Sequence, residues 1–190
     1  MDKQQFLQKF SFQSLNKIDN AYEHAGHLRQ ASVLIPIAVT NSGLQVILTK
    51  RAAHLKHHPG QISFPGGKVE ANDASPLATA LREAHEEIGL AISDVDIIGQ
   101  LQTHHVTTGY AISPFIGFIP DDYPFVVDPG EVAEVFQVPF EHFVNEDNHV
   151  SFYVQRANRT HNVHFMPYLH YNIWGATAAI LKDLVTHLKR

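Results

Sequence analysis

The sequence predicts an α/β or α+β sandwich, in which helices cover a mixed β-sheet. Two observations support this fold class: many short β-rich segments separated by turn residues, and two longer segments with helical periodicity. No internal repeat or Pro/Gly-rich linker divides the 190 residues, so we expect one domain spanning 1–190. The predicted strands are 33–39, 44–49, 61–64, 97–103, 112–119, 135–138, 150–155 and 163–166.

Turn and helix signals justify the elements in order. Residues 2–15 place Phe6, Leu7 and Phe10 at helical spacing and predict a short N-terminal docking helix. Residues 41–43, Asn-Ser-Gly, supply the turn of a hairpin between the first two strands. The third strand is expected to stop at the Pro-Gly-Gly of residues 65–67.

The two longer helices are predicted from their caps and apolar stripes. Ser75 is a favourable N-cap, Pro76 suits the first helical position, and Gly89 suits the residue after the last turn. The chain closes with an amphipathic helix. The apolar stripe of the first comprises Leu77, Leu81, Ala84 and Ile88, and that of the second Ile180, Leu181, Leu184, Val185 and Leu188.

Composition excludes several classes of protein. The net charge of −5 argues against a general nucleic-acid binder, and no apolar run reaches the roughly 18 residues that a membrane helix needs. Because the chain has no cysteine, disulfides and Cys-ligated zinc are excluded, and a cytoplasmic location is expected. The fourteen histidines are scattered and contain no H-E-x-x-H pair, so we do not assign them to a metal.

A cluster of carboxylates on the first long helix carries the main functional signal. Glu83, Glu86 and Glu87 are spaced three and four residues apart, which predicts neighbouring positions on the face opposite the apolar stripe. Like charges at this spacing repel by a few tenths of a kcal/mol per pair. Hard oxygen ligands in such a cluster suit Mg²⁺ or Mn²⁺, so the alternative to a solvated acidic face is a metal site.

The surrounding residues resemble a known motif. Gly67 followed by Arg82-Glu83-Ala84-His85-Glu86-Glu87-Ile88-Gly89-Leu90 resembles the Nudix box, G-x5-E-x7-R-E-U-x-E-E-x-G-U, in which U is apolar. The second half matches at every specified position. In the first half Asp73 replaces the glutamate, and eight residues rather than seven separate it from Arg82. Asp73 is therefore as well explained as a helix-capping residue.

The resemblance implies a fold and a reaction. Nudix hydrolases are α/β/α sandwiches that cleave a nucleoside diphosphate linked to another group, using Mg²⁺ or Mn²⁺. By position, Glu83, Glu86 and Glu87 would be metal ligands with the Gly67 carbonyl, and Arg82 would orient a glutamate or contact a phosphate. The resemblance leaves the general base open among Glu83, Glu131 and Glu134.

The segment before the box indicates which diphosphate is cleaved. Residues 48–67 resemble the signature of coenzyme A pyrophosphatases within the family, L-L-T-x-R-S/A-x3-R-x3-G-x3-F-P-G-G. Lys56 replaces a frequent arginine of this signature. The segment is also basic, and the 3′-phosphate of coenzyme A requires nearby cations. We therefore assign Arg51, His58 and Lys50 as candidate substrate-binding residues.

Two alternatives to a coenzyme A diphosphatase stay open. One is a Nudix enzyme of the same chemistry that acts on ADP-ribose, NADH or a dinucleotide. The other is a Nudix-fold regulator that senses a nucleotide without cleaving it, although all three box glutamates are present. The expected partner is a small molecule rather than a nucleic acid or membrane, and the sequence does not decide between a monomer and a homodimer.

Overall fold

The structure, a computed structural model, describes residues 1–11, 28–156 and 159–189. Its helices are α1 (Lys3–Ser11), α2 (Pro76–Ile88), α3 (Phe140–Val144) and α4 (Gly175–Leu188). Its strands are β1 (Arg29–Thr40), β2 (Gly43–Arg51), β3 (Ile62–Ser63), β4 (Gly66–Lys68), β5 (Asp96–Gln100), β6 (His104–Val106), β7 (Tyr110–Ile119), β8 (Val132–Pro139), β9 (Val150–Arg156) and β10 (Arg159–Phe165).

Eight of these strands form one mixed sheet. Strands β1 and β7 pair in parallel at its centre, and the other pairings are antiparallel. Strand β2 lies between β1 and β8, while β4 pairs with the opposite half of β1, and β3 with the end of β2. This arrangement brings the short β3 and β4 segments, which carry the Phe-Pro-Gly-Gly sequence, close to the end of β2.

Helices cover both faces of the sheet. Helix α2 packs on one face through a smaller apolar cluster that includes Ala80, Ala84 and Ile88. Helices α1 and α4 cover the other face through a larger cluster, in which Phe6 and Leu181 are fully buried. The molecule is therefore an α/β/α sandwich with a mixed central sheet, as the sequence predicts.

The hairpin formed by β9 and β10 is a separate two-stranded sheet. A backbone bridge links its end at Phe165 to Trp174, immediately before α4. Phe165 and Trp174 also stack, with ring centroids 5.9 Å apart. The hairpin is thus attached at the β10 end, near the start of α4.

Most predicted elements are present, and the differences have local causes. The hairpin of β1 and β2 and the caps of α2 are confirmed: Ser75 Oγ accepts from the Ala78 amide at 3.1 Å, and Gly89 has φ 68°. The predicted stop of the third strand at residues 65–67 is confirmed, because β3 ends at Ser63, but Gly66–Lys68 pairs with β1 as a further strand, β4, that was not predicted. The N-terminal helix ends at Ser11, and the rest of its predicted range lies outside the described residues.

Several element lengths also differ from the prediction. Strands β1, β2 and β8 are longer than predicted. The predicted strand 97–103 ends at Gln100, and β6 and α3 were not predicted. These two elements and β4 each span five residues or fewer, which is too short for a periodic pattern to show.

Candidate active site

Helix α2, called the carboxylate helix because it bears Glu83, Glu86 and Glu87, is held in place by its own caps and by the chain that follows it. The Val126 and Asp128 amides donate to the Ile88 and Glu87 carbonyls at 3.1 and 3.0 Å. The Tyr123 hydroxyl donates to the Gly89 carbonyl at 3.3 Å. These bonds satisfy carbonyls at the end of α2 that have no partner within the helix. They also fix the loop before β8 against the end of the helix that bears the glutamates.

Glu87 is buried rather than exposed, which corrects the expectation that all three glutamates share the face opposite the apolar stripe. Its side chain is only 3% exposed. One carboxylate oxygen accepts from the Gly66 amide at 3.3 Å, and the other lies 4.0 Å from an Arg51 guanidinium nitrogen. Burial raises the pKa of Glu87 to about 8, against the opposing effect of the Gly66 amide. A nearby cation would favour its ionised form.

Glu83 lies against the backbone of β4. A Cβ atom at Gly67 would collide with the Glu83 carboxylate, so a larger residue there would displace this carboxylate from β4. Burial raises the pKa of Glu83, while the Arg82 guanidinium opposes that change. Glu86, on the next turn, is 55% exposed. The three carboxylates therefore range from fully buried to solvent-facing along one side of α2.

Arg82 connects two of these glutamates to Asp73. Its guanidinium donates to both Asp73 carboxylate oxygens, at 2.9 and 3.0 Å, and to Glu83 and Glu86 at 2.9 Å each. A further bond, at 3.3 Å, reaches the Lys68 carbonyl. The bond to Asp73 is the main reason that the Arg82 pKa is raised, and the same bond holds the Asp73 pKa well below its usual range.

Asp73 is therefore the partner of Arg82, and the interpretation of it as a helix cap is replaced. The N-cap of α2 is Ser75. Asp73 also accepts from the Thr79 hydroxyl at 2.8 Å and from the Glu70 amide at 2.9 Å. Four donors thus fix one carboxylate, which fixes the guanidinium that contacts the glutamates.

The candidate substrate-binding residues separate in space. Arg51 faces α2 and Glu87, whereas Lys50 pairs with Glu134 and Ile62 on the α4 side of the sheet. Adjacent residues of a strand point to opposite faces, so Lys50 and Arg51 do not line one pocket side by side. His58 is exposed, with φ 56°, in the loop that returns to Arg51.

The candidate general bases Glu131 and Glu134 also lie on different sides of the sheet. The Tyr171 hydroxyl donates to the Glu134 carboxylate at 2.5 Å, and its ring stacks on Phe136 at 3.6 Å. Glu134 therefore lies on the α4 side, away from Glu87. Glu131 belongs to the loop fixed at the end of α2, and its charge raises the pKa values of Glu83 and Glu87.

The comparison with known families agrees with this geometry. The model of the NUDIX domain matches residues 28–155, which include the whole carboxylate helix and the strands around it. The chain belongs to the Nudix family.

Relatives support the assignment over nearly the whole chain. The chain is 41% identical over 160 residues to an uncharacterized Nudix hydrolase NudL of Enterobacter sp. (strain 638), covering 84% of this chain and 83% of the relative. It is 36% identical over 184 residues to a protein of the same description from Yersinia pestis (strain Pestoides F), covering 95% and 92%. Hydrolysis of the pyrophosphatase type is therefore the activity class of this Nudix protein.

Solved structures of Nudix proteins share the fold. The Nudix hydrolase RenU of M. smegmatis superposes with a TM-score of 0.53 and 23% identity over 62% of this chain and 74% of its own. The MutT protein of Methanosarcina mazei Go1 gives 0.50 and 20% over 64% and 84%. At these identities the similarity shows the fold alone.

Nudix hydrolases generally need divalent cations, and the donors on α2 fit such an ion in kind. They are carboxylate oxygens, and the buried Glu87 is disfavoured as an anion without a cation beside it. In residues 1–11, 28–156 and 159–189, however, no three His, Cys, Asp or Glu side chains are arranged to hold a metal. Arg82 donates to one oxygen of Glu83 and to one oxygen of Glu86, which leaves the second oxygen of each carboxylate for an ion once the side chains converge.

No helix in the described ranges combines the length and apolar character needed to span a bilayer.

Proposed function

We propose that this Nudix protein is a coenzyme A diphosphatase. It would hydrolyse coenzyme A, and its acyl derivatives, to adenosine 3′,5′-bisphosphate and 4′-phosphopantetheine or acyl-phosphopantetheine. The observation that carries the proposal is the contact between Arg51 and Glu87, 4.0 Å apart. It joins the coenzyme A signature of residues 48–67 directly to the carboxylate helix.

The ion proposed for this site is Mg²⁺ or Mn²⁺, held by Glu83, Glu86, Glu87 and the Gly67 carbonyl. When bound, such an ion neutralises diphosphate charge and makes water a better nucleophile. The buried Glu87 would supply the ligand most dependent on an ion, because removing it from water is otherwise costly. Glu86, the most exposed of the three, would meet the solvent side.

The protein's own residues would position the substrate and accept a proton. Arg51, which lies beside Glu87 and is 25% exposed, would bind the diphosphate, because a guanidinium can donate two parallel hydrogen bonds to phosphate oxygens. Arg82 is saturated by carboxylates, so its proposed role is to orient Glu83 and Glu86 rather than to bind phosphate. Its anchor is Asp73.

We propose Glu131 or Glu83 as the general base. Glu134 is a weaker candidate because its carboxylate is bonded to Tyr171 on the other side of the sheet. His58 and Lys50 remain proposed contacts for the far ends of the substrate, such as the 3′-phosphate, and Lys50 would reach it only around the edge of the sheet. We also propose a cytoplasmic location, consistent with a chain that has no cysteine.

The test compares coenzyme A, dephospho-coenzyme A and ADP-ribose as substrates, each with Mg²⁺ and with Mn²⁺. We expect the highest kcat/KM for coenzyme A and a lower value for the analogue without the 3′-phosphate. Faster cleavage of ADP-ribose would instead favour the alternative of a Nudix enzyme acting on ADP-ribose, NADH or a dinucleotide. Binding of all substrates without cleavage of any would favour the nucleotide sensor.

A further inference from the structure

The outer edge of the β9–β10 hairpin lacks the protection that exposed strands usually have. In the described part of the chain, β9 pairs with β10, and β10 is the strand that packs on α4. A two-stranded sheet is marginally stable in water and gains stability from further strands. Strand β9 therefore presents a row of backbone donors and acceptors on the side away from β10.

The same strand carries an unusual share of the exposed apolar surface. Of the eight large apolar side chains exposed in the described residues, four lie within five consecutive positions of β9. Their exposed fractions are 42% for Val150, 56% for Phe152, 76% for Tyr153 and 47% for Val154. Apolar groups concentrated in this way usually mark an interaction surface.

Alternation along the strand separates two faces. Ser151 and Tyr153 lie on one face, where the Ser151 hydroxyl contacts Nδ1 of the buried His164 at 2.8 Å and Tyr153 is 76% exposed. Val150, Phe152 and Val154 point to the other face, where Phe152 meets the edge of Phe165, with ring centroids 5.5 Å apart. This second face is thus an apolar ridge that continues into Phe165 and Trp174, and Tyr153 adds exposed apolar surface on the first face.

The charges along β9 indicate which kind of partner can pair with its outer edge. Residues 150–155, Val-Ser-Phe-Tyr-Val-Gln, contain no Lys, Arg, Asp, Glu or His, and the one charged residue of β9 is Arg156 at its end. Exposed edges of natural sheets are commonly guarded by charged residues, above all lysine, that prevent pairing with other chains. Two copies of β9 paired antiparallel about its middle residue, Tyr153, would place each Arg156 opposite a Val150. No like charges would then face each other, and the apolar side chains would meet as cross-strand pairs.

We propose that β9 is the interface of a homodimer, in which two copies pair antiparallel across a two-fold axis. The two hairpins then form one four-stranded sheet, with each end fixed to its own α4. A two-fold contact closes on itself, so the pairing stops at two chains instead of extending into a fibre. This proposal is independent of the substrate and of the chemistry at α2.

The first test measures mass in solution by light scattering over a dilution series of the purified full chain. We expect twice the 21.3 kDa chain mass for the wild type. Because each variant places a charge in an apolar interface, once from each copy, Val154→Lys or Phe152→Lys should raise the dimer dissociation constant at least about tenfold. Ile92→Lys, at a 54% exposed residue elsewhere, is the matched control and should stay dimeric. A monomeric wild type, or lysine variants that dimerise as it does, would overturn the proposal.

A second test stands even if a lysine variant folds poorly. The chain has no cysteine, so a single introduced cysteine can form only an intermolecular disulfide. Cysteines placed in turn at 150–155 should crosslink most strongly nearest the axis and more weakly on either side, since a disulfide needs Cα atoms within about 7 Å. Ile92→Cys is the control. Equal crosslinking at all positions, or none along β9, would contradict the pairing.

Discussion

Helices α2 and α4, on opposite faces of the central sheet, bury different kinds of side chain. On α4, Ile180, Leu181 and Leu184 are each at most 1% exposed and belong to the larger apolar cluster. On α2 the residues against the sheet include the small Ala80 and Ala84, and the buried Glu87 lies beside them. Helix α4 gains stability by removing apolar surface from water, whereas α2 buries a carboxylate at a cost.

This difference indicates where the protein accommodates its chemistry. A buried carboxylate is disfavoured unless it is neutralised or paired, and the α2 face supplies one amide and one guanidinium, 4.0 Å away, for it. The opposite face compensates with a larger apolar core. Changes on α2 should therefore alter activity more than stability, and changes on α4 the reverse.

The largest effect is expected from Glu86→Gln. Glu86 is 55% exposed, so its replacement should leave the fold intact while removing a proposed metal ligand. Mutation of a residue that only supports a metal ligand lowers metal affinity or activity about 10- to 100-fold. Loss of a ligand itself should therefore lower kcat/KM by at least about 100-fold. Steady-state hydrolysis of coenzyme A measures this loss of kcat/KM. The control is Glu146→Gln, at a side chain that is 75% exposed. Unchanged turnover would remove Glu86 from the site.

The corresponding change on the other face is Leu181→Ala. It leaves a cavity in the larger core and should lower the free energy of unfolding by about 2–5 kcal/mol. Leu169→Ala makes the same chemical change at a residue 81% exposed and should shift stability by less than about 0.5 kcal/mol. Denaturant unfolding measures both. Activity per folded molecule should be unchanged, and a loss of kcat in Leu181→Ala would break the division between the faces.

A smaller effect is expected from Asp73→Asn. The amide keeps the shape but removes the charge that anchors Arg82, so Glu83 and Glu86 should be less well oriented. We expect kcat to fall about tenfold or more with KM for coenzyme A little changed. Glu70→Gln, an exposed carboxylate three residues earlier, is the control. A change in KM alone would assign Asp73 a part in substrate binding instead.

The smallest effect is expected on the pH dependence of stability, from His164 of β10, the strand that packs on α4. Burial lowers the pKa of His164, so the unfolded chain binds a proton more readily than the folded one. The stability contributed by neutral His164 is fully present above pH about 6.5 and is lost as pH falls through the lower folded pKa. His164→Gln should flatten the fall of Tm below pH 6.5, while the exposed His57→Gln should not. Identical slopes in all three proteins would refute this.

Local signals explain what could be predicted from the sequence. The bounds of α2 follow from Ser75, Pro76 and Gly89, which act within one turn of the helix. The burial of Glu87 could not be predicted, because it depends on Gly66 and Arg51, which β2 and β4 bring to the helix from elsewhere in the chain. The bond between Asp73 and Arg82 was also not predicted, because eight residues instead of the seven of the Nudix box separate them.

The opposite orientations of Lys50 and Arg51 follow from a simple rule of strand geometry. The two residues are adjacent in a β-rich segment, and successive side chains of a strand point to opposite faces of the sheet. The predicted strand ends at Thr49, whereas β2 continues to Arg51. A predicted strand longer by two residues would therefore have placed Arg51 and Lys50 on different faces.

The most direct test of the difference between the faces is thermal unfolding of Glu87→Gln beside the wild type, in EDTA and in Mg²⁺. Gln keeps the size of the side chain but carries no charge that must be buried. The account predicts that in EDTA the variant has a Tm equal to or above that of the wild type. It also predicts that Mg²⁺ raises the Tm of the wild type but not that of the variant, which does not hydrolyse coenzyme A. A variant that is less stable in EDTA, yet is still stabilised by Mg²⁺ and active, would contradict it.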